Sequence, residues 1–216
     1  MVLGATTSAK AAKAAKAAKT ESPAAYHSAF HELRFDAGRP CLDLVATTHP
    51  VERLDDVRRL RDWLVGAGLV PPGTPLPGAD AAWLAAFREL RGHIAQLVRA
   101  ELAGRPADAA LARVNALAAT APPAPLAVRR ADGSLTRALH AAPGRPALLA
   151  AVARDAVELL TDPVARSLLR QCEGDSCPIV YLDTSRGRRR RWCSSEVCGN
   201  RERVARHRRR AALARA

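Results

Sequence analysis

Four cysteines late in the chain constrain its fold more than any other feature. They stand as Cys172-x4-Cys177 and Cys193-x4-Cys198, with fifteen residues between the pairs. Tetrahedral zinc asks for such an arrangement: each tight turn presents two sulfurs, and a short connector brings the turns together. Glu173-Gly174-Asp175-Ser176 is good turn material inside the first pair. Ile179, Tyr181 and then Trp192 suit the two strands of a hairpin, with Ser185-Arg186-Gly187 at its tip. Ser194 or Ser195 is placed to cap a helix whose first turns bring Cys198 to the metal. Knuckle, hairpin and helix make a treble-clef-like four-cysteine zinc module. Four thiolates leave no open coordination position, so a single Zn2+ here is structural rather than catalytic. A stretch of about forty residues with so few apolar side chains needs that metal to fold. Clustered pairs without a secretory signal favour metal ligation in a reducing compartment over disulfides.

Charge is unevenly spread. Of the net +13, residues 1–21 hold +3, residues 22–163 hold +1 and residues 164–216 hold +9. A solubilising bias would charge the middle too, so the basic C-terminal end is expected to meet a polyanion. Zinc with four thiolates carries a charge of about −2, which cannot occupy the eleven arginines between 186 and 210. Helical phase places Val197, Cys198, Val204, Ala205 and Ala212 on one face with Arg201 and Arg208. Arg201 is therefore expected to brace the module, paired with Asp183, while Trp192 covers the metal site. Arg203, Arg206 and Arg210 fall on the opposite face. With Arg188, Arg189, Arg190 and Arg191 they are the candidate nucleic-acid contacts, since the planar guanidinium fork suits phosphate oxygens and guanine edges.

The rest of the chain reads as helices. Apolar content of 48% suffices for a core, and aromatics at 4% make that core mostly Leu, Val and Ala. No run approaches the roughly 18 apolar residues of a membrane span. Residues 1–25 carry Lys10, Lys13, Lys16 and Lys19 at a period that never builds an apolar face, and read as a disordered basic tail. Leu33 and Phe35 alternate as in a short strand. Gly38-Arg39-Pro40 is a turn, and Cys41 opens a buried segment in which its thiol is unreactive and Asp43 is a hydrogen-bonded structural group. Leu54 to Val65 have helical spacing, and a long helix from about Asp80 carries Trp83, Phe87, Leu90, Ile94, Leu97 and Val98 on one stripe. A helix opened by Pro106 turns Leu111, Val114 and Leu117 inward. Residues 125–140 read as a hairpin turning at Asp132-Gly133, followed by a helix from about Pro146 and a shorter one capped by Asp162. No phosphate loop, catalytic triad or second metal spacing appears, so no enzyme activity is expected.

Several stretches together resemble a known family: the first cysteine pair, Leu182-Asp183-Thr184-Ser185-Arg186, Arg191-Trp192-Cys193, Cys198-Gly199-Asn200-Arg201 and Val204-Ala205-Arg206-His207-Arg208. They resemble the CGNR zinc finger, preceded in such proteins by an ABATE domain and found in bacterial stress-induced transcription regulators. Gly38-Arg39-Pro40-Cys41-Leu42-Asp43 and Leu44-Val45 are similar to the opening motif of that domain, which usually ends in Asn-Thr where Ala46 and Thr47 stand here. The resemblance implies zinc at Cys172, Cys177, Cys193 and Cys198, DNA binding, and no enzyme activity.

The expectation is a mainly α (α+β) chain: a basic tail (1–25), a multihelical domain with a small β-hairpin (26–165), and the zinc module with a basic C-terminal helix (166–216). It would be a cytoplasmic, nucleoid-associated DNA-binding regulator responding to stress or a small-molecule signal. Pairing into a homodimer would extend a small interface. RNA binding is one alternative, and a ligand- or protein-binding protein whose zinc finger is only an assembly surface is another.

Overall fold

The computed structural model describes residues 33–213, apart from the side chains of residues 196, 197 and 211. The expected basic tail lies outside the described residues. Among them are seven α-helices and two two-stranded antiparallel sheets, a mainly α fold.

A short helix, α1 (Pro40–Ala46), sits at the centre. Pro40 opens it, as suits a position whose N–H would find no partner, and Cys41 to Ala46 are all buried. Helix α2 (Val57–Gly66) is capped by Asp56, whose carboxylate accepts from Arg59 N at 2.7 Å. Helix α3 (Ala81–Leu102) is capped by Asp80 through Trp83 N at 3.0 Å. Its inward stripe of Trp83, Phe87, Leu90, Ile94, Leu97 and Val98 is the one that helical spacing identifies. Phe87 meets Trp63 of α2 edge-on, with ring centroids 6.0 Å apart. Helix α4 (Asp108–Ala118) begins two residues after Pro106 and buries Ala110 and Val114. Leu111, expected inward, lies about 100° around the helix from Ala110 and is exposed.

Strands β1 (Pro125–Arg129) and β2 (Leu135–Leu139) form the expected hairpin, with Gly133 at φ 83° in its turn. Helix α5 (Arg145–Thr161) returns to the core and packs on α1, α3 and α4. Asp162 ends α5 and caps α6 (Pro163–Ser167).

Asp43 is buried in α1 and accepts a hydrogen bond from Ala37 N at 2.9 Å, the structural role expected of it. Burial pushes its pKa up to about 7 against this bond. The folded chain therefore holds this proton more tightly than the unfolded chain. Its contribution to stability is complete below the ordinary value of 3.8 and is lost as pH rises to about 7. Asp43→Asn should flatten stability across that interval, as thermal midpoints at saturating zinc would show. The Cys41 thiol is wholly buried, and burial raises its pKa well above the ordinary value, which fits an inert core thiol.

Leu33 and Phe35 do not form a strand. Residues 34–39 run as an irregular loop whose backbone is bonded to a side chain and to the zinc-finger segment. Ala37 N is held by Asp43, and Ala37 O accepts from Leu182 N at 2.9 Å. Gly38, at φ 95°, lets the loop turn where a Cβ would lie 3.0 Å from that of Leu182. This loop and α1 are where the helical core meets the cysteine segment.

Among the described residues, no helix is long and apolar enough to cross a membrane.

Candidate metal centre and the basic helix it carries

Strand β3 (Leu169–Gln171) leads into Cys172 and pairs with β4 (Val180–Leu182), in register Leu169 to Leu182. The hairpin therefore encloses the first cysteine pair. It is not the expected hairpin running from Ile179 to Trp192 with its tip at Ser185-Arg186-Gly187. Residues 183–192 form a loop instead, closed by Asp183, which accepts from Ser185 N, Ser185 Oγ and Arg190 N at 3.1, 2.5 and 3.0 Å. Ile179, Val180, Tyr181 and Leu182 are buried and join the same apolar cluster as the helices. The segment thus has more core than its own composition supplies.

The four cysteines converge. Cys172, Cys177, Cys193 and Cys198 are all buried, with their sulfurs within 4.8 Å of one another. The Cys177–Cys193 and Cys193–Cys198 sulfur separations are 3.7 and 3.6 Å. Zinc–sulfur bonds of about 2.3 Å in a tetrahedron place sulfurs about 3.8 Å apart, so the site has the size of one zinc ion. Its turns are built to that size. Gly174 passes so close to the second pair that a Cβ there would lie 3.2 Å from Cys198 Cβ. Gly174 N and Cys193 N point at Cys172 Sγ at 3.4 and 3.2 Å.

The electrostatics also call for a cation. Burial would raise the Cys172 pKa, yet the two N–H groups bring it below the ordinary value. Burial and neighbouring thiolates push Cys177 up to about 12, and Cys198 upward as well. Four sulfurs this close cannot all ionise without a positive ion between them.

A cation of the protein's own also reaches the site. Arg34, 9% exposed, directs one guanidinium nitrogen at Cys193 Sγ (3.2 Å) and another at Cys193 O (2.8 Å). Asp36 grips the same guanidinium at 3.0–3.1 Å. Sequence reading missed this residue; 159 positions separate it from Cys193, and a lone arginine before the first helix gives no periodic signal.

The second cysteine pair closes through a π-helical turn, Ser195–Gly199, in which Gly199 N donates to Ser194 O at 2.9 Å. Helix α7 (Asn200–Leu213) follows directly. Trp192 is half-buried and lies over Gly199, 3.6 Å from where a Cβ would stand.

The candidate arginines separate into two groups, though not the two expected. Arg190 is turned inward: Nε donates to Trp192 O, the guanidinium reaches Asp36 O and Cys193 O, and it stacks 4.4 Å over Tyr181. Arg191 pairs with Glu173 at 2.6 Å beside the Trp192 ring. Arg203 reaches back to Gly199 O (3.2 Å) and Ser195 O (3.0 Å), bracing the π turn. Arg201 is exposed and close enough to His49 to act on it electrostatically, but its expected partner Asp183 is taken up by Ser185 and Arg190. Arg188, Arg189, Arg206, Arg208 and Arg210 are exposed.

Comparison with protein families agrees with this geometry. Residues 38–163, more than half of the chain, match the family model ABATE, described as "Putative stress-induced transcription regulator". The chain belongs to the ABATE family. Residues 168–211 match a second model, the CGNR zinc finger. Four buried cysteines inside that match identify the cofactor as one zinc ion. The Arg34-to-Ala37 loop lies outside both matched ranges, although it contacts the zinc finger of this ABATE protein directly. No curated protein matches the chain.

Proposed function

We propose that the protein is a DNA-binding transcription regulator, cytoplasmic and nucleoid-associated, whose zinc finger makes the contact. The observation that carries this reading is the mounting of α7. The helix leaves a metal-built turn, and every arginine on it from Arg201 to Arg210 is exposed. A helix so poor in apolar surface and so rich in guanidinium groups suits a polyanion rather than a protein core. The helical ABATE portion, through α1, is in contact with β4 of the finger, a route by which a signal would alter the DNA-binding end.

Binding to duplex DNA should weaken steeply with salt. Arg206→Ala with Arg210→Ala should lower affinity and reduce the salt slope by about two, roughly one per arginine. Fluorescence anisotropy at several salt concentrations tests it. An unchanged slope in the double variant removes this face of α7 from the interface.

A further inference from the structure

Helix α7 has an internal division that its charge alone does not reveal. With about 100° per residue, and Arg203 taken as the origin, Arg206 and Arg210 fall near 300–340° and Arg201 and Arg208 near 140–160°. Between these two flanks, at about 40–100°, lie Asn200, Val204 and His207. All three are exposed, Val204 by 42% although it is apolar. From Arg201 to Arg210 the two half-buried positions are Glu202 and Ala205, near 200–260°. The side of α7 nearest the body carries Glu202 and Ala205, with Arg201 at its edge, where its charge adds to burial in lowering the His49 pKa, and it lies opposite the exposed Asn200–Val204–His207 stripe.

We propose that α7 lies in the major groove of B-form DNA, with Asn200, Val204 and His207 toward the base edges, Arg206 and Arg210 on one phosphate wall and Arg208 on the other. This rests on the DNA-binding reading above and specifies how the same site reads sequence. A helix with side chains is about 10–12 Å across and the B-form major groove about 12 Å wide. The deep, narrow major groove of A-form RNA does not admit it. Asn is the side chain that pairs in bidentate fashion with adenine, a methyl-bearing side chain packs on the thymine methyl, and an imidazole N–H donates to guanine acceptors. Asn200 and His207 are seven residues apart, about 10 Å along the axis, the length of about three base pairs. One chain therefore reads a short site.

The test is selection from duplex DNA randomised at its centre, with the full-length zinc-loaded protein, followed by measurement of variants on the selected and a scrambled duplex. An enriched core of about three to four base pairs is expected. His207→Ala and Asn200→Ala should each reduce preference for the selected over the scrambled duplex by about 10- to 100-fold. Arg208→Ala should weaken both duplexes alike, and by clearly more than Arg209→Ala, which removes the same charge from the side of Glu202 and Ala205 near 240°. Zinc content of one ion per chain in each variant keeps folding out of the comparison.

Binding without any enriched core overturns the proposal while leaving DNA binding intact. So does a preference unchanged by both His207→Ala and Asn200→Ala, or equal losses from Arg208→Ala and Arg209→Ala. Failure of the wild-type protein to bind any duplex at low salt, or tighter binding to an RNA hairpin than to duplex DNA, overturns the underlying DNA reading as well.

Discussion

Stripped of zinc by a chelator, the protein should lose the order of residues 190–213 while helices α1 to α5 remain folded. Binding of a structural zinc by four thiolates contributes on the order of 10 kcal/mol near neutral pH, more than the apolar contacts of so small a segment. The loss should be graded. Leu169, Ile179, Val180, Tyr181 and Leu182 belong to the cluster that the helices build, so β3 and β4 have support other than metal. Beyond Cys198 that support ends. The π turn is held by Cys198 and by Arg203, and α7 has few other neighbours. Hydrogen exchange on the zinc-free protein should show protection kept in α3 and α5, reduced around the first cysteine pair and abolished in α7. Full protection of α7 without zinc would contradict this account of what builds the module.

Arg34→Met should lower zinc affinity by about 10- to 100-fold, the range seen when a group oriented toward a metal ligand is removed. Methionine fills much of the volume but carries no donor for Cys193 Sγ and Cys193 O and no charge beside the thiolate. Arg34→Lys should rescue little, because a single ammonium cannot span Sγ, the carbonyl and Asp36 as the planar fork does. Asp36→Asn should have the smaller effect, since Asp36 is half-exposed and water replaces part of its contact. Competition with a chromophoric chelator measures all three. An Arg34→Met protein with wild-type zinc affinity would reduce the contact to packing.

The cysteine spacing announced the metal site because tetrahedral coordination leaves few alternatives, and the sulfurs meet as it requires. The helix start at Asp80, the cap at Asp162 and the turn at Asp132-Gly133 were equally legible, since each depends on bonds within a few residues. What sequence did not show is long-range. Three residues of β3 are too few for a periodic signal, so β4 was assigned the wrong partner. The loop carrying Arg34 has no pattern at all. The bracing by Arg203 was hidden because its long side chain turns back to the carbonyls of Gly199 and Ser195 in the π turn, a contact that helical phase does not show.

The central claim is that the zinc centre builds the surface that meets DNA. Zinc titrated into metal-free full-length protein, with duplex binding followed by anisotropy at low salt, tests it most directly. Binding should rise with added zinc and saturate at one ion per chain, and Cys198→Ser should not respond. Wild-type affinity and salt slope in the metal-free protein or in Cys198→Ser would contradict it.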